Sequence, residues 1–168
     1  EKDQYKLFYQ LIMRKQKIIV LFINYLIEYL FLKDFLKLIS SKEEYAVNLL
    51  VTKSELLKEI KDSIPSNRIS VMELDKDSDL CKNPSLIICM EIWNEKIKDI
   101  IEEARGKNIP VLMYDHASLL YDCEYSLMGD EYATHYRSDI ALSSHIACWG
   151  EIRRAHWCTY GISTLKMR

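Results

Sequence analysis

Glycine is scarce in this chain. Of 168 residues only four are glycine, Gly106, Gly129, Gly150 and Gly161, and none precedes residue 106. A phosphate-cradling loop needs glycines a few residues apart, because the backbone must turn sharply and approach the anion closely. The first 105 residues therefore hold no P-loop and no standard dinucleotide fingerprint, and the later four glycines lie too far apart to make one. An excess of one charge is also missing. The 23 basic and 25 acidic side chains leave a formal net charge of -2, which is no footprint for bulk nucleic-acid binding. The cysteines, Cys81, Cys89, Cys123, Cys148 and Cys158, are odd in number and stand singly. That spacing points to reduced thiols in a cytoplasmic protein rather than a disulfide framework. No apolar run reaches the roughly 20 residues of a membrane span. The greasiest stretch, residues 18–32, is interrupted by Asn24 and Glu28 and flanked by Lys17 and Lys33. No small-residue cleavage site follows it, which argues against a signal peptide. It reads as a buried strand running into a helix, with an interfacial membrane-facing helix as the alternative. The G-x-S-x-G elbow of serine hydrolases is absent as well.

What is present is globular. Hydrophobic residues make up 49% of the chain and charged residues 29%, which sets it apart from a disordered tail. A chain of this length suits one domain and buries roughly 70% of its unfolded surface. It begins at Glu1 rather than Met and ends at Arg168, so a piece of something longer is expected. Residues 5–16 read as a short amphipathic helix, with Leu7, Phe8, Leu11 and Ile12 at helical spacing and Lys6, Arg14 and Lys15 opposite. Strands are expected at 18–23, 47–51, 69–74, 86–90, 109–114 and 146–149, with a seventh from Ile162. The runs at 18–23 and 86–90 are apolar on both faces, as in central strands of a parallel sheet. Helices are expected at 25–39, at 55–63 with Thr52 or Ser54 as cap, around Ile97, Ile100, Ile101 and Ala104 up to Gly106 as C-cap, and at 151–160. Pro110 belongs at the start of its strand, where a missing N–H is tolerated. Residues 75–84 read as a loop, and 115–138 as a long loop with a helix somewhere after Asp130. Strands alternating with helices predict an α/β fold, a Rossmann-like parallel sheet of about six or seven strands with helices on both faces.

Ligands of such sheets sit beyond the carboxyl ends of the strands. The residues there are Asn24, Glu91 and Trp93, Asp115 and His116, and Gly150 and Glu151. A His at a strand end can act as a general base, because its ordinary pKa is near 6.5. Asp115 can orient it or bind a hydroxyl, and Ser118 lies two residues on. The competing reading is that these are ordinary polar residues opening a loop. Gly150 lets the backbone approach a ligand, while Glu151 serves equally well as a first-turn acid that complements a helix dipole. His145, Cys148, His156 and Cys158 resemble a metal quartet only loosely, since structural zinc sites show tighter Cys pairs. No metal site is expected. Asp75, Asp77 and Asp79 lack the Gly and Glu of a calcium loop, with Leu80 and Leu86 in those places. Arg137, Arg153 and Arg154 read as a solvated face. The tyrosines Tyr114, Tyr121, Tyr125, Tyr132 and Tyr136 can stack on sugars but by default pack under loops.

Residues 107–117, Lys-Asn-Ile-Pro-Val-Leu-Met-Tyr-Asp-His-Ala, resemble the "gIPvv…qHG" turn of GT-B glycosyltransferase-like proteins. These include bacterial surface and capsule polysaccharide synthesis proteins and CDP-glycerol glycerophosphotransferases. Residues 146–151 are similar to the family's "vWGe" strand and turn, Tyr160-Gly161-Ile162 to its "yGI", and Asn83 to Met90 to its "kPdliiv" strand. Ala117 stands where the family usually has Gly. The likeness covers residues 83–168. It implies that residues 1–168 form a single N-terminal, acceptor-side domain, lacking the C-terminal donor-binding domain and inactive alone. It implies His116 as catalytic base, Asp115, Ser118, Gly150 and Glu151 as substrate-binding residues, and no cofactor or metal. The substrates would be a nucleotide-linked sugar or CDP-glycerol donor and a polysaccharide or lipid-linked acceptor, in cell-envelope synthesis in the cytoplasm or at the inner face of the membrane. Two alternatives stand beside this transferase reading. One is a sugar-nucleotide epimerase on the same two-domain scaffold, and the other a non-catalytic flavodoxin-like binding domain.

Overall fold

The computed structural model of the chain describes residues 16–64, 66–74, 83–90, 94–114 and 142–147. Within them the order is β1 (Lys17–Ile23), α1 (Leu26–Ser40), β2 (Tyr45–Val51), α2 (Ser54–Lys61), β3 (Ile69–Glu73), β4 (Leu86–Cys89), α3 (Glu95–Gly106), β5 (Val111–Tyr114) and β6 (His145–Ala147). The six strands form one sheet in the order β3-β2-β1-β4-β5-β6, and every pairing is parallel. This is the doubly wound Rossmann order. The expected fold class is therefore the observed one. The expected helices at 5–16 and 151–160, the loop at 115–138 and the seventh strand lie outside the described residues.

The two faces of the sheet explain the apolar runs. Val20 and Phe22 of β1 point to one side, where they join Ile87, Val111 and Ile146 of β4, β5 and β6 in one core with Ile97, Ile101 and Ala104 of α3. Ile19, Leu21 and Ile23 point to the other side, under Tyr29 and Leu36 of α1 and Leu56 and Ile60 of α2. A strand covered on both faces has no position for a polar residue, so residues 18–23 are unbroken hydrophobic sequence. β1 pairs with β2 along its whole length, from Lys17 opposite Tyr45 to Ile23 opposite Val51. Its other edge pairs with β4, Ile19 opposite Leu86 through Leu21 opposite Ile88. The chain steps leftward from β1 to β3 and then returns to the far side of β1, which makes the β1/β4 border the switch point of the sheet.

Two local expectations are corrected. Gly106 does not cap α3, for it is the last residue of the helix. Asn108 supplies the left-handed turn, with φ 58°. Its N–H donates to Arg105 O at 3.0 Å and the Ile109 N–H to Ala104 O at 2.9 Å, a pair of bonds that closes a Schellman turn. Neither Thr52 nor Ser54 caps α2. The N-cap is Lys53 without a side-chain bond, and Thr52 instead turns to Ile23 O, its N–H at 3.1 Å and its hydroxyl at 3.5 Å. Pro110 lies just ahead of β5, where its carbonyl accepts from Ile87 N–H at 3.0 Å.

Candidate functional site

The carboxyl ends of β1 and β4 flank the switch point, where a doubly wound sheet opens its ligand crevice. β1 delivers Ile23, Asn24 and Tyr25 into the first turn of α1. In a nucleotide-binding sheet this turn would be glycine-rich, with free N–H groups aimed at a diphosphate. Here it is closed from inside. The Glu28 carboxylate folds back over the helix start, and its Oε2 accepts from Asn24 N–H at 2.5 Å and from Tyr25 N–H at 3.4 Å. Glu28 is 0% exposed. The side chain supplies the reciprocal half of a capping box, while the N-cap residue, Tyr25, makes no side-chain cap bond.

Burial pushes the Glu28 carboxyl above the usual carboxylate range, and the hydrogen bonds from Asn24 and Tyr25 pull it part of the way back. Its second oxygen, Oε1, is buried without a hydrogen-bond partner among the described residues. The positive end of α1 is thus satisfied by the chain's own acid. A phosphate would have to displace Glu28 to reach these N–H groups, so the turn is unsuited to cradling one.

Around this closed turn the edge offers other chemistry. Tyr25 is half exposed, and Lys53, at the start of α2, holds its Nζ 4.9 Å from the centre of the Tyr25 ring. An aromatic face and an ammonium group therefore stand side by side beyond the carboxyl ends of β1 and β2, between two helix N-termini. Met90 is buried where β4 ends, and β5 ends at Tyr114, one residue before Asp115. β6 ends at Ala147, three residues before Gly150.

Of the strand-end residues singled out in the sequence, Asn24 is described, half-buried beside Glu28. His116, Asp115, Ser118, Gly150 and Glu151 lie outside the described residues, as do Glu91 and Trp93. So do Cys148, His156 and Cys158 of the loose metal quartet, the acidic run at 75–79, Arg137, Arg153, Arg154 and the tyrosines after Tyr114. His145 sits half-buried on β6, and Cys89 is a buried cysteine at the end of β4, its Sγ 4.0 Å from Leu112 O. Glu28 is the site residue that sequence reasoning passed over. Its signal was a Glu at the third position of a helix that starts directly after a strand. The signal was incomplete because Tyr25 stands where Ser or Thr would mark a capping box.

No protein-family model matches the chain, and no curated protein matches it in sequence. Solved structures do match in fold. The chain is similar to UDP-GlcNAc 2-epimerase from Rickettsia bellii (10% identity, TM-score 0.60, 90% of this chain and 44% of that one). It is similar to the enzyme from Methanocaldococcus jannaschii (10%, TM-score 0.60, 91% and 45%). It is also similar to the enzyme from Neisseria meningitidis bound to UDP-GlcNAc (13%, TM-score 0.58, 90% and 45%). The chain spans less than half the length of these proteins. At such identities the likeness establishes the Rossmann-like fold. Among the described residues no helix is long and apolar enough to cross a membrane.

Proposed function

We propose that the chain is the first Rossmann-like domain of a sugar-nucleotide enzyme, and that the reaction is epimerisation of a UDP-sugar rather than transfer. The observation that carries this is the shared sheet. Structures of UDP-GlcNAc 2-epimerases, one with UDP-GlcNAc bound, match over about nine-tenths of this chain. The Glu28-closed turn supports a division of labour in which the diphosphate is held by a further domain. This domain would then face the sugar with its carboxyl edge, Tyr25 and Lys53 included. His116 is the general base, since a strand-end imidazole near neutral pKa can take a proton from carbon or hydroxyl at the sugar. Asp115 orients it, and Ser118, Gly150 and Glu151 line the same cleft.

The second reading is transfer of a sugar or glycerophosphate to an acceptor hydroxyl in envelope polysaccharide synthesis. It is favoured by one specific observation, the likeness of residues 107–117 and 146–151 to the turns of GT-B glycosyltransferase-like proteins. In that reaction His116 would deprotonate the acceptor hydroxyl as it attacks the donor, and the nucleotide would leave.

Product analysis separates the two. The protein translated from its whole reading frame is incubated with UDP-GlcNAc and followed by proton NMR. The expected product is the 2-epimer with UDP still attached, and His116→Ala should lose at least about a hundredfold in rate, the lower end of what a positioned base contributes. Release of UDP that depends on an added acceptor would replace epimerisation by transfer. An unchanged rate in the His116→Ala variant would remove that residue from the mechanism.

A further inference from the structure

Three features coincide at the start of α1. The helix is 15 residues long, so its aligned peptide dipoles leave a partial positive charge on the first turn. The turn follows directly on β1, a strand buried on both faces. It also stands at the β1/β4 border, where the strand order reverses. A helix start at the switch point of a doubly wound sheet is where an anionic ligand group is ordinarily held.

An anion-forming group is already there, and the chain itself supplies it. Glu28 Oε2 accepts from Asn24 N–H at 2.5 Å and from Tyr25 N–H at 3.4 Å. Oε1 lies buried at the same place without a hydrogen-bond partner, and the residue is 0% exposed. Leaving one oxygen of a buried carboxyl unsatisfied is costly. The ion pairs among the described residues, Arg68 with Glu43 and Lys107 with Glu103, leave Glu28 out. The attraction that offsets the cost is therefore the helix end, meaning the two N–H groups and the dipole behind them. Glu28 is held as a ligand anion would be. Charged or protonated, its side chain fills the place and keeps both N–H groups occupied.

We propose that Glu28 is a specificity-determining residue, which fills the anion subsite of this switch point from within the chain and so denies it to phosphate. In the UDP-sugar reading above, on which this part rests, the diphosphate is turned away from the carboxyl edge and the uncharged sugar is left to face it. The occupied subsite itself is tested without a sugar. Inorganic pyrophosphate is titrated at neutral pH into the isotopically labelled full chain, as wild type, Glu28→Ala and Glu28→Gln, and the Asn24 and Tyr25 amide shifts are followed. Glu28→Ala should bind saturably, shifting both amides, at least about tenfold more tightly than wild type, the worth of one charge-assisted hydrogen bond. Glu28→Gln keeps an oxygen in place and should behave as wild type. Glu28→Ser, whose hydroxyl is too short to reach back to Asn24, carries the alanine expectation should that variant fail to fold. A folded Ala or Ser variant whose two amides stay unmoved would overturn the proposal, as would wild type binding pyrophosphate there equally well. The expected pyrophosphate result, combined with no binding of UDP-GlcNAc to wild type, would uphold the occupied subsite and sink the UDP-sugar reading alone.

Discussion

Glu28 is an acid kept from water at a helix start that its charge complements. Its pKa is raised, so the folded state holds a proton there that the unfolded chain gives up at lower pH. The sign follows directly. The contribution of Glu28 to stability is fully present below the ordinary carboxylate range and falls as pH rises through its raised folded value. Glu28→Gln keeps an oxygen for the Asn24 and Tyr25 N–H groups and removes the charge. Urea titrations of both proteins from pH 3.5 to 7.5 should show the Gln variant gaining relative to wild type as pH rises. A difference that stays flat, or moves the other way, would mean that the hydrogen bonds outweigh the burial. Glu28→Ala leaves both N–H groups without their acceptor and should cost about 1–3 kcal/mol.

Asn108 gives a second test at this scale. A β-branched residue in its left-handed turn is strained, so Asn108→Val should destabilise by about 1–2 kcal/mol. Gly106 sits in regular helix, and a Cβ there would meet nothing within 4 Å. Gly106→Ala should therefore stabilise by about 0.5–1 kcal/mol, read as a shift in the urea midpoint. If Gly106 were the cap, as its place at the end of a helical pattern suggested, the two results would be reversed. The sequence pattern pointed to the nearest glycine because glycine is the commonest left-handed residue. Asn, the next commonest, stands two positions further on, between the helix and the strand.

At the scale of elements, strands bounded by polar turns and covered on both faces announce themselves. β1 and β4 appear as unbroken apolar runs for that reason, and each was placed to within a residue. Ends were less visible. Thr52 resembled a helix cap, but its hydroxyl is spent on the Ile23 carbonyl across the sheet edge, a bond between neighbouring strands that no local pattern encodes. The tie between α1 and the end of α2 was equally hidden. Tyr29 Oη donates to Ser63 O at 2.9 Å, and Ser63 Oγ bonds the same hydroxyl at 2.9 Å, across 34 residues. Tyr29→Phe removes both bonds and leaves the Ser63 groups to find other partners, at an expected cost of about 1–3 kcal/mol. A double-mutant cycle with Ser63→Ala should show the two losses to be less than additive, since the residues share one bond. Strictly additive losses would mean that the bond contributes nothing.

For the whole molecule, strand order decides where a ligand sits. The alternation of strands and helices in the sequence implied a parallel sheet, but the order β3-β2-β1-β4-β5-β6 comes from long-range pairing. With that order the β1/β4 border becomes the crevice, and the scarcity of glycine acquires a structural counterpart. The turn that would need glycine to hold a phosphate is closed by Glu28. The residues proposed for chemistry, His116 foremost, were chosen from strand-end position and from short family-like turns. The described part of the fold delivers β5 to the residue before Asp115. The central claim is that this carboxyl edge faces the sugar of a UDP-sugar. The most direct measurement is an amide chemical-shift titration of the isotopically labelled protein with UDP-GlcNAc. The expected result is saturable shifts at Asn24, Tyr25, Lys53, Met90 and Tyr114, with the amino-end residues Lys17, Tyr45 and Ile69 unmoved. Shifts confined to the amino ends of the strands, or no saturable shift at any concentration, would contradict it.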